Sequence, residues 1–431
     1  MTIRNSSQKI TLRLPRVELA EVAVLMLFVS LHLYGVGVIK FYGLSIAPWD
    51  WAILILAFLS LIWLTAHGKA LIIRSSFKPV LFLASLFTLW MGVSALVSPQ
   101  TERGLTMLLL QMRNLFFLFL IGILFSNITS IAPLNGKLFR IGSVIAILAI
   151  LMYIFSWFRY LEIVSSPRLW KPTIGYNLDQ GGVLRLIGFA RDPNFYSLWI
   201  ALPFFIGFTK QFSLRHLLIF IPIGLSVILA MSRGFAIGFL ASIAILSLVG
   251  RIIKVKKRNL KEDVKRYIKM LFVGIALYLM VVIGFQFIIG FDIHQFAKRI
   301  ELVGETPRWN MWNQLKEAFT ERWNPITGLG LRAAEESLEG AYSHNTYLDV
   351  LFETGLVGFA IFNLLLFYVT VFALKRITYL EWIPYVQTWF VLLVMFGAFS
   401  LGYNPFTWLM IGVLTACPVR GSKKAVEKIN Q

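Results

Sequence analysis

The chain has 431 residues, 58% of them hydrophobic and only 14% charged, with a mean hydropathy of +0.74. That balance excludes an ordinary soluble domain, because apolar runs of about 20 residues are long enough to cross a bilayer core as helices, and helices satisfy their own backbone hydrogen bonds in lipid. A formal charge of +20 in a soluble chain would point to nucleic acid, but in a membrane protein Lys and Arg gather in cytoplasmic loops, so nucleic acid is not an expected partner; the single cysteine, Cys417, excludes a disulfide framework.

In chain order, Arg4, Lys9, Arg13 and Arg16 precede the first apolar run, 17–39. That run is too long for a signal-peptide core and no small-residue cleavage site follows it, so it reads as a retained helix. Further runs lie at 44–66, 79–98, 105–126, 138–158, 195–209, 216–231, 235–250, 268–290, 346–372, 383–401 and 403–417. The pattern predicts an all-α, polytopic integral membrane protein with about twelve transmembrane helices, folded as a single transmembrane domain over 1–431. With the N-terminus inside, Lys69, Arg74, Lys78, Lys137, Arg140, Lys210, Arg215, Lys375, Arg376 and the run "GRIIKVKKRNLKEDVKRYIK" at 250–269 all fall on one side. The dense run reads as an orientation signal against anionic lipid, with a regulatory or partner-binding site as the alternative.

Arginines on the other side break this pattern. Arg113, in "LLQMRNLFF", sits inside a span about eight residues from its outer end, where a guanidinium is costly unless it faces protein, water or an anion. The outer loop 159–194 holds Arg185 and Arg191 in "RLIGFARDPNFYSLW", and Arg233 in "MSRGFAIG" stands in a short outer connection. The second long outer loop, 291–345, carries Arg308 in "ETPRWNMWNQLKEAFTERWNP". There Thr306 and Pro307 open a helix near 307–323 whose Trp309, Trp312, Leu315, Phe319 and Trp323 recur every three or four residues. Such a helix lies along the membrane surface, either as a plain anchor or as a wall of a site. "NPITGLG" at 324–330 then supplies a sharp turn. Converging guanidiniums suit a lipid diphosphate, whose oxygens their planar forks match; each arginine alone could equally be an ion-pair partner for Asp192, Asp349 or Glu353.

"SHNTYLDVLFETGLVG", 343–358, opens the next span with polar residues. His344 and Asn345 begin it, and Asn345, Asp349 and Glu353, spaced four apart, share one helix face just after Tyr342. The stripe either faces a site in the bundle or divides into a helix cap and ion pairs. Other chemistries lack their residues. No His or Cys pair has metal-ligand spacing, no Asp-x-Asp is present for a divalent clamp, and neither a phosphate loop nor a nucleophile elbow occurs. Neither a metal nor a cofactor is expected.

These stretches resemble the O-antigen ligase and polymerase superfamily of bacterial envelope enzymes. His344 and Asn345, followed after nine residues by Gly355 and Gly358, fit its histidine signature. "RLIGFARDPN" is similar to its Arg-x-x-Gly to Pro-Asn segment, "SRGFAIGFLAS" to its Ser-Arg-Gly helix start, and "NPITGLG" to its turn ahead of the histidine. The resemblance implies a multi-pass glycosyltransferase of the bacterial inner membrane with its site at the periplasmic or extracellular face. It would move a glycan from undecaprenyl diphosphate to the hydroxyl of a glycolipid or glycan acceptor. By motif position it implies a general base at His344 and diphosphate binding at Arg233 and Arg185, with Arg191 beside the matched segment; Arg308 and Arg113 are added from charge placement, and Asn345, Asp349 and Glu353 as groups that orient the imidazole or hold sugar hydroxyls. A ligase-like activity is the first expectation and a repeat-unit polymerase the alternative. A transporter is the third reading; it would need charges near mid-membrane in broken helices, whereas these gather at one face.

Overall fold

The computed structural model describes residues 16–33, 39–41, 44–67, 73–126, 130–163, 175–178, 184–190, 192–209, 213–252, 307–322, 324–338 and 343–418. The predicted span at 268–290, most of the basic run, and Arg191 lie outside the described residues. So do the side chains of Arg308, Trp309, Phe319 and Trp323.

The helices, numbered in chain order among the described residues, begin with α1 (Arg16–His32), α2 (Pro48–His67), α3 (Lys78–Leu96), α4 (Thr101–Ser126) and α5 (Ala132–Ile163). They continue with α6 (Pro193–Thr209), α7 (Leu214–Ala230), α8 (Arg233–Ile252), α9 (Pro307–Arg322), α10 (Ala333–Ser337), α11 (Thr346–Arg376), α12 (Ile383–Phe396) and α13 (Pro405–Ala416). Four are long and apolar enough to cross a membrane: Lys78–Leu96, Thr101–Ser126, Ala132–Ser156 and Thr346–Arg376. The fold is mostly helical, but not wholly so. Two antiparallel hairpins are present, β1 (Ile39–Phe41) with β2 (Leu44–Ile46) and β3 (Gly175–Leu178) with β4 (Leu184–Gly188). The second replaces much of the loop expected at 159–194, and α5 runs on to Ile163 where a loop was expected from 159.

Glycines let the helices approach closely, as in other lipid-embedded bundles where small residues form the seams. Gly234 and Gly238, four apart on α8, face α12: a Cβ at Gly238 would lie 3.0 Å from Val391 Cα, and one at Gly234 3.5 Å from Phe399. Gly412 of α13 likewise accommodates Ile121 of α4. Large aromatics fill the remaining core, among them Trp199, Trp389, Trp408, Phe117 and Phe139, all fully buried.

Side chains at helix ends fix which ends lie together. The start of α11 is bound to the segment after α12, since Thr346 N–H and Oγ1–H both donate to Phe399 O (3.1 and 2.5 Å) and Leu401 N–H donates to Thr346 Oγ1 (2.7 Å). At the far end, Arg74 Nε donates to Ser126 O at the close of α4, and Arg376 Nη2 donates to Cys417 O after α13. Asn135 near the start of α5 bonds Glu381 O and the Tyr385 hydroxyl. Arg74, Asn135 and Arg376 thus share the end opposite His344.

Candidate functional site

The site is assembled from four chain segments at the His344 end of the bundle. The first is the junction of α7 and α8. Met231 closes α7 in the left-handed conformation (φ 48), and Ser232 opens α8 by accepting the Phe235 N–H at 3.2 Å. Only these two residues separate the helices, so Arg233 is the first residue of α8, and it is exposed. A cation is disfavoured at a helix N-terminus. There its charge adds to the free N–H groups, and the pair favours an anion.

The junction is held by the second segment, β4 and the start of α6. Asp192 caps α6 through the N–H groups of Asn194 (2.7 Å) and Phe195 (3.4 Å), with Pro193 at the first helical position. Asn194 then turns its amide inwards, where Oδ1 accepts from Ser232 Oγ (2.8 Å) and Arg185 Nη2 (3.2 Å). Arg185 is buried; its Nε donates to Ala230 O (3.0 Å) and its Nη2 to Met231 O (3.2 Å), which are carbonyls left open at the end of α7. The guanidinium assigned to diphosphate by motif position is thus engaged in shaping the turn that presents Arg233.

The third segment is the histidine turn. His344 has φ 54, a left-handed conformation uncommon outside glycine. Its neighbours are pinned on both sides. Ser343 Oγ donates to Asp349 Oδ1 and accepts the Asn345 N–H at 3.0 Å. Asn345 Oδ1 caps α11 through the N–H groups of Tyr347 (3.0 Å) and Leu348 (3.2 Å). The Ser343 carbonyl accepts Trp312 Nε1–H at 2.9 Å. Trp312 therefore ties α9 to the turn, and Leu315 of α9 is buried with Ala334, Leu338 and Phe352. The amphipathic helix therefore packs against the histidine turn. Trp312→Phe leaves an aromatic ring but removes the indole N–H and part of the ring volume, which costs about 1 kcal/mol for the lost hydrogen bond with lost packing in addition; the expected result is a lower thermal unfolding midpoint in detergent than that of the wild type.

The fourth segment, "NPITGLG", is spliced into α11. At Gly355 the helix breaks (φ 67, ψ −171). The N–H of Leu356, which in an unbroken helix would bond Phe352 O, donates to Pro325 O at 2.8 Å, and Phe352 O accepts Leu329 N–H at 2.7 Å. Ser94 Oγ and Ser98 Oγ at the end of α3 bond the loop carbonyls of Thr327 (3.1 Å) and Leu331 (2.8 Å), while Trp90 Nε1 bonds Thr354 O at 2.8 Å. Gly328 and Gly355 pack backbone to backbone, each leaving no room for a Cβ on the other.

Glu353, one turn below Asp349 and buried, receives the Tyr403 hydroxyl at 3.2 Å and faces Arg332. Neither Tyr403 nor Arg332 was singled out by sequence. The polar stripe therefore divides: Asn345 caps, Asp349 holds Ser343, and Glu353 joins Tyr403 and Arg332. Arg113 stands apart from Arg233, with Nη1 2.7 Å from Asp50 Oδ1 and its guanidinium 4.9 Å from the Trp49 ring. Its partner is thus Asp50, an acid the sequence reading did not consider. Arg113 Nη2 also donates to Asn114 Oδ1, and Asn114 in turn donates to Tyr403 O.

Phe399 joins the segments. Its ring meets that of His344 edge-on at a centroid separation of 6.3 Å, and it covers Gly234, the residue after Arg233. His344 and the N-terminus of α8 are therefore neighbours across one aromatic side chain at the same end of the bundle.

No curated protein matches the chain. A family model described as O-antigen ligase matches residues 218–363, which hold Arg233, the spliced loop, His344, Gly355 and Gly358 but not Arg113, Arg185 or Asn194. That segment, which carries the histidine turn, its supporting loop and the arginine-bearing helix start, is similar to the O-antigen ligase family.

Proposed function

We propose that this membrane protein is a metal-independent glycosyltransferase that takes a glycan from undecaprenyl diphosphate and joins it to an acceptor hydroxyl in the manner of an O-antigen ligase, working at the outer face of a bacterial inner membrane. The observation that supports this most is the meeting of His344 with the Arg233 end of α8 on Phe399. In this reading His344 removes the proton from the acceptor hydroxyl as that oxygen bonds the anomeric carbon. The bond from carbon to the diphosphate oxygen breaks, and its electron pair leaves with the diphosphate. Arg233 and the N–H groups of α8 stabilise that growing charge, fixed in place beforehand by Arg185 and Asn194. Arg308 lies on α9, the helix that Trp312 ties to the turn, and is a second candidate for the diphosphate. Glu353, with Tyr403, is suited to sugar hydroxyls. A single displacement inverts the anomeric centre.

Transfer by the purified chain from a defined undecaprenyl-diphosphate glycan tests this reading. One glycan moved to a lipid acceptor is the ligase outcome, a ladder of repeats on the carrier lipid is the polymerase outcome, and no transfer to any acceptor contradicts both. Arg233→Ala should raise the donor KM about 10- to 100-fold, the range for losing hydrogen bonds to a charged group. Arg233→Lys should fall between, since it keeps the charge and loses the fork. Equal KM values in all three proteins would remove Arg233 from the donor site.

A further inference from the structure

Between α12 and α13 the chain forms neither helix nor strand, and irregular backbone inside a lipid-embedded bundle must still satisfy its carbonyls. Those of Phe399, Leu401, Gly402 and Tyr403 are met from three helices. Thr346 of α11 donates to Phe399 O through its N–H (3.1 Å) and Oγ1 (2.5 Å) and accepts the Leu401 N–H at 2.7 Å. From α13, Thr407 Oγ1 donates to Leu401 O and Trp408 Nε1 to Gly402 O, each at 3.0 Å. From α4, Asn114 Nδ2 donates to Tyr403 O at 3.2 Å. Asn114 is held in turn, since its Oδ1 accepts Arg113 Nη2 at 3.3 Å while Nη1 of the same guanidinium is paired with Asp50 at the start of α2. Capping α13 requires none of this, because Asn404 caps it alone through the Phe406 N–H at 2.9 Å.

The same five residues carry the ring between the two parts of the site. Phe399 meets His344 edge-on and lies 3.5 Å from where a Cβ of Gly234 would be, so its position sets the separation between the histidine and the start of α8. Thr346, two residues after His344, fastens the histidine turn and that ring to one carbonyl.

We propose that residues 399–403 are a spacer of fixed shape that sets His344 against Arg233, and that Thr346 and Asn114 are positioning residues acting through it without touching substrate. This rests on the glycan-transfer reading of His344 and Arg233. A displacement of about 1 Å between reacting groups can cost about 100-fold in rate. Loosening the spacer should therefore lower kcat more than it raises the donor KM, because Arg185 and Asn194 still hold the junction that carries Arg233.

Thr346→Val keeps the side-chain shape and removes the hydroxyl, Thr346→Ser keeps the hydroxyl, and Asn114→Ala releases the other end of the spacer. Per folded molecule, Thr346→Val and Asn114→Ala should each lower kcat about 10- to 100-fold with a donor KM within about threefold of wild type, and Thr346→Ser should stay near wild type in both. Thr407→Val leaves Leu401 O with the Asn404 N–H (2.9 Å), which keeps the test usable where the other variants fail to fold; it should lower kcat several-fold. Asn363→Ala loses a comparable bond, to Phe359 O at 2.8 Å on α11 away from the spacer, and should leave kcat unchanged. An unchanged kcat in any folded one of Thr346→Val, Asn114→Ala and Thr407→Val, or an equal fall in Asn363→Ala, overturns the proposal. Thermal unfolding in detergent gives a readout without transfer: one spacer joining the two positions makes the midpoint drop of the Thr346→Val and Asn114→Ala double variant smaller than the sum of the single drops, and additive drops overturn the proposal. A wild-type chain that transfers no glycan contradicts the reaction at His344 instead, and the unfolding comparison still decides whether the spacer is one unit.

Discussion

His344→Asn is expected to lower glycan transfer by about 100- to 10,000-fold, the usual contribution of a positioned general base, while the protein remains folded and membrane-inserted. Asn is the informative replacement. Residue 344 has φ 54, a conformation that Asn tolerates better than Ala, and its neighbours contribute bonds that fix the turn. Ser343 holds Asp349, Asn345 caps α11, and Trp312 holds the Ser343 carbonyl. Asn therefore keeps the backbone and removes the base. His344→Ala should lose as much transfer and, in addition, about 1 kcal/mol or more of local stability from the left-handed backbone. Transfer rates per folded molecule, compared across wild type and both variants, check this. Near-wild-type transfer by the Asn variant would leave the histidine with a structural role only.

Gly355→Ala is expected to be the most damaging substitution to the fold itself. The conformation at 355 (φ 67, ψ −171) belongs to a region essentially reserved for glycine. A Cβ there would lie 2.3 Å from Ile326 O and 2.7 Å from Gly328 N, backbone atoms that cannot swing aside. Relief requires the "NPITGLG" loop to move off α11, breaking the bonds between Leu356 and Pro325 and between Leu329 and Phe352. Strain of about 1–3 kcal/mol combined with two lost hydrogen bonds at about 1 kcal/mol each gives a destabilisation above roughly 3 kcal/mol, enough to unfold a marginal membrane protein. Gly397→Ala is the matched control. That residue has φ −72, is exposed, and would bring its Cβ no nearer than 3.4 Å to Val394 O, so it should change stability by less than about 0.5 kcal/mol. Thermal unfolding of the two variants in the same detergent separates the cases; equal midpoints would mean that the splice does not hold the loop.

What could be read from the sequence, and what could not, follows from the kind of interaction involved. Hydropathy located the helices because burial in lipid leaves a composition signal in every residue of a span. The histidine motif marked the start of α11 because Asn345 is a helix cap in any context. The fate of the acids was less legible: at helical spacing they share a face, yet Asp349 turns back to Ser343 while Glu353 meets Tyr403, a division set by which neighbour each depth offers. The partnership of Gly328 with Gly355 leaves only two glycines in sequence, since the bonds between the segments are made by backbone atoms. Arg113 and Asp50 lie 63 positions apart, and no periodicity links residues across two helices. Arg185 was found as a charge, but its role was hidden, because the carbonyls it binds belong to the end of α7. The β3 to β4 hairpin did leave a trace: Gly181 and Gly182 precede the alternating "VLRLIG", a hairpin signal that is weak beside the long apolar runs around it.

The most direct test is the structure of the chain with an undecaprenyl-diphosphate-linked glycan bound. The account predicts the diphosphate within hydrogen-bond reach of Arg233 and the N-terminus of α8, with the anomeric carbon turned towards His344. A diphosphate seated at the opposite end of the bundle, or held at the His344 end without contact to Arg233, would contradict it.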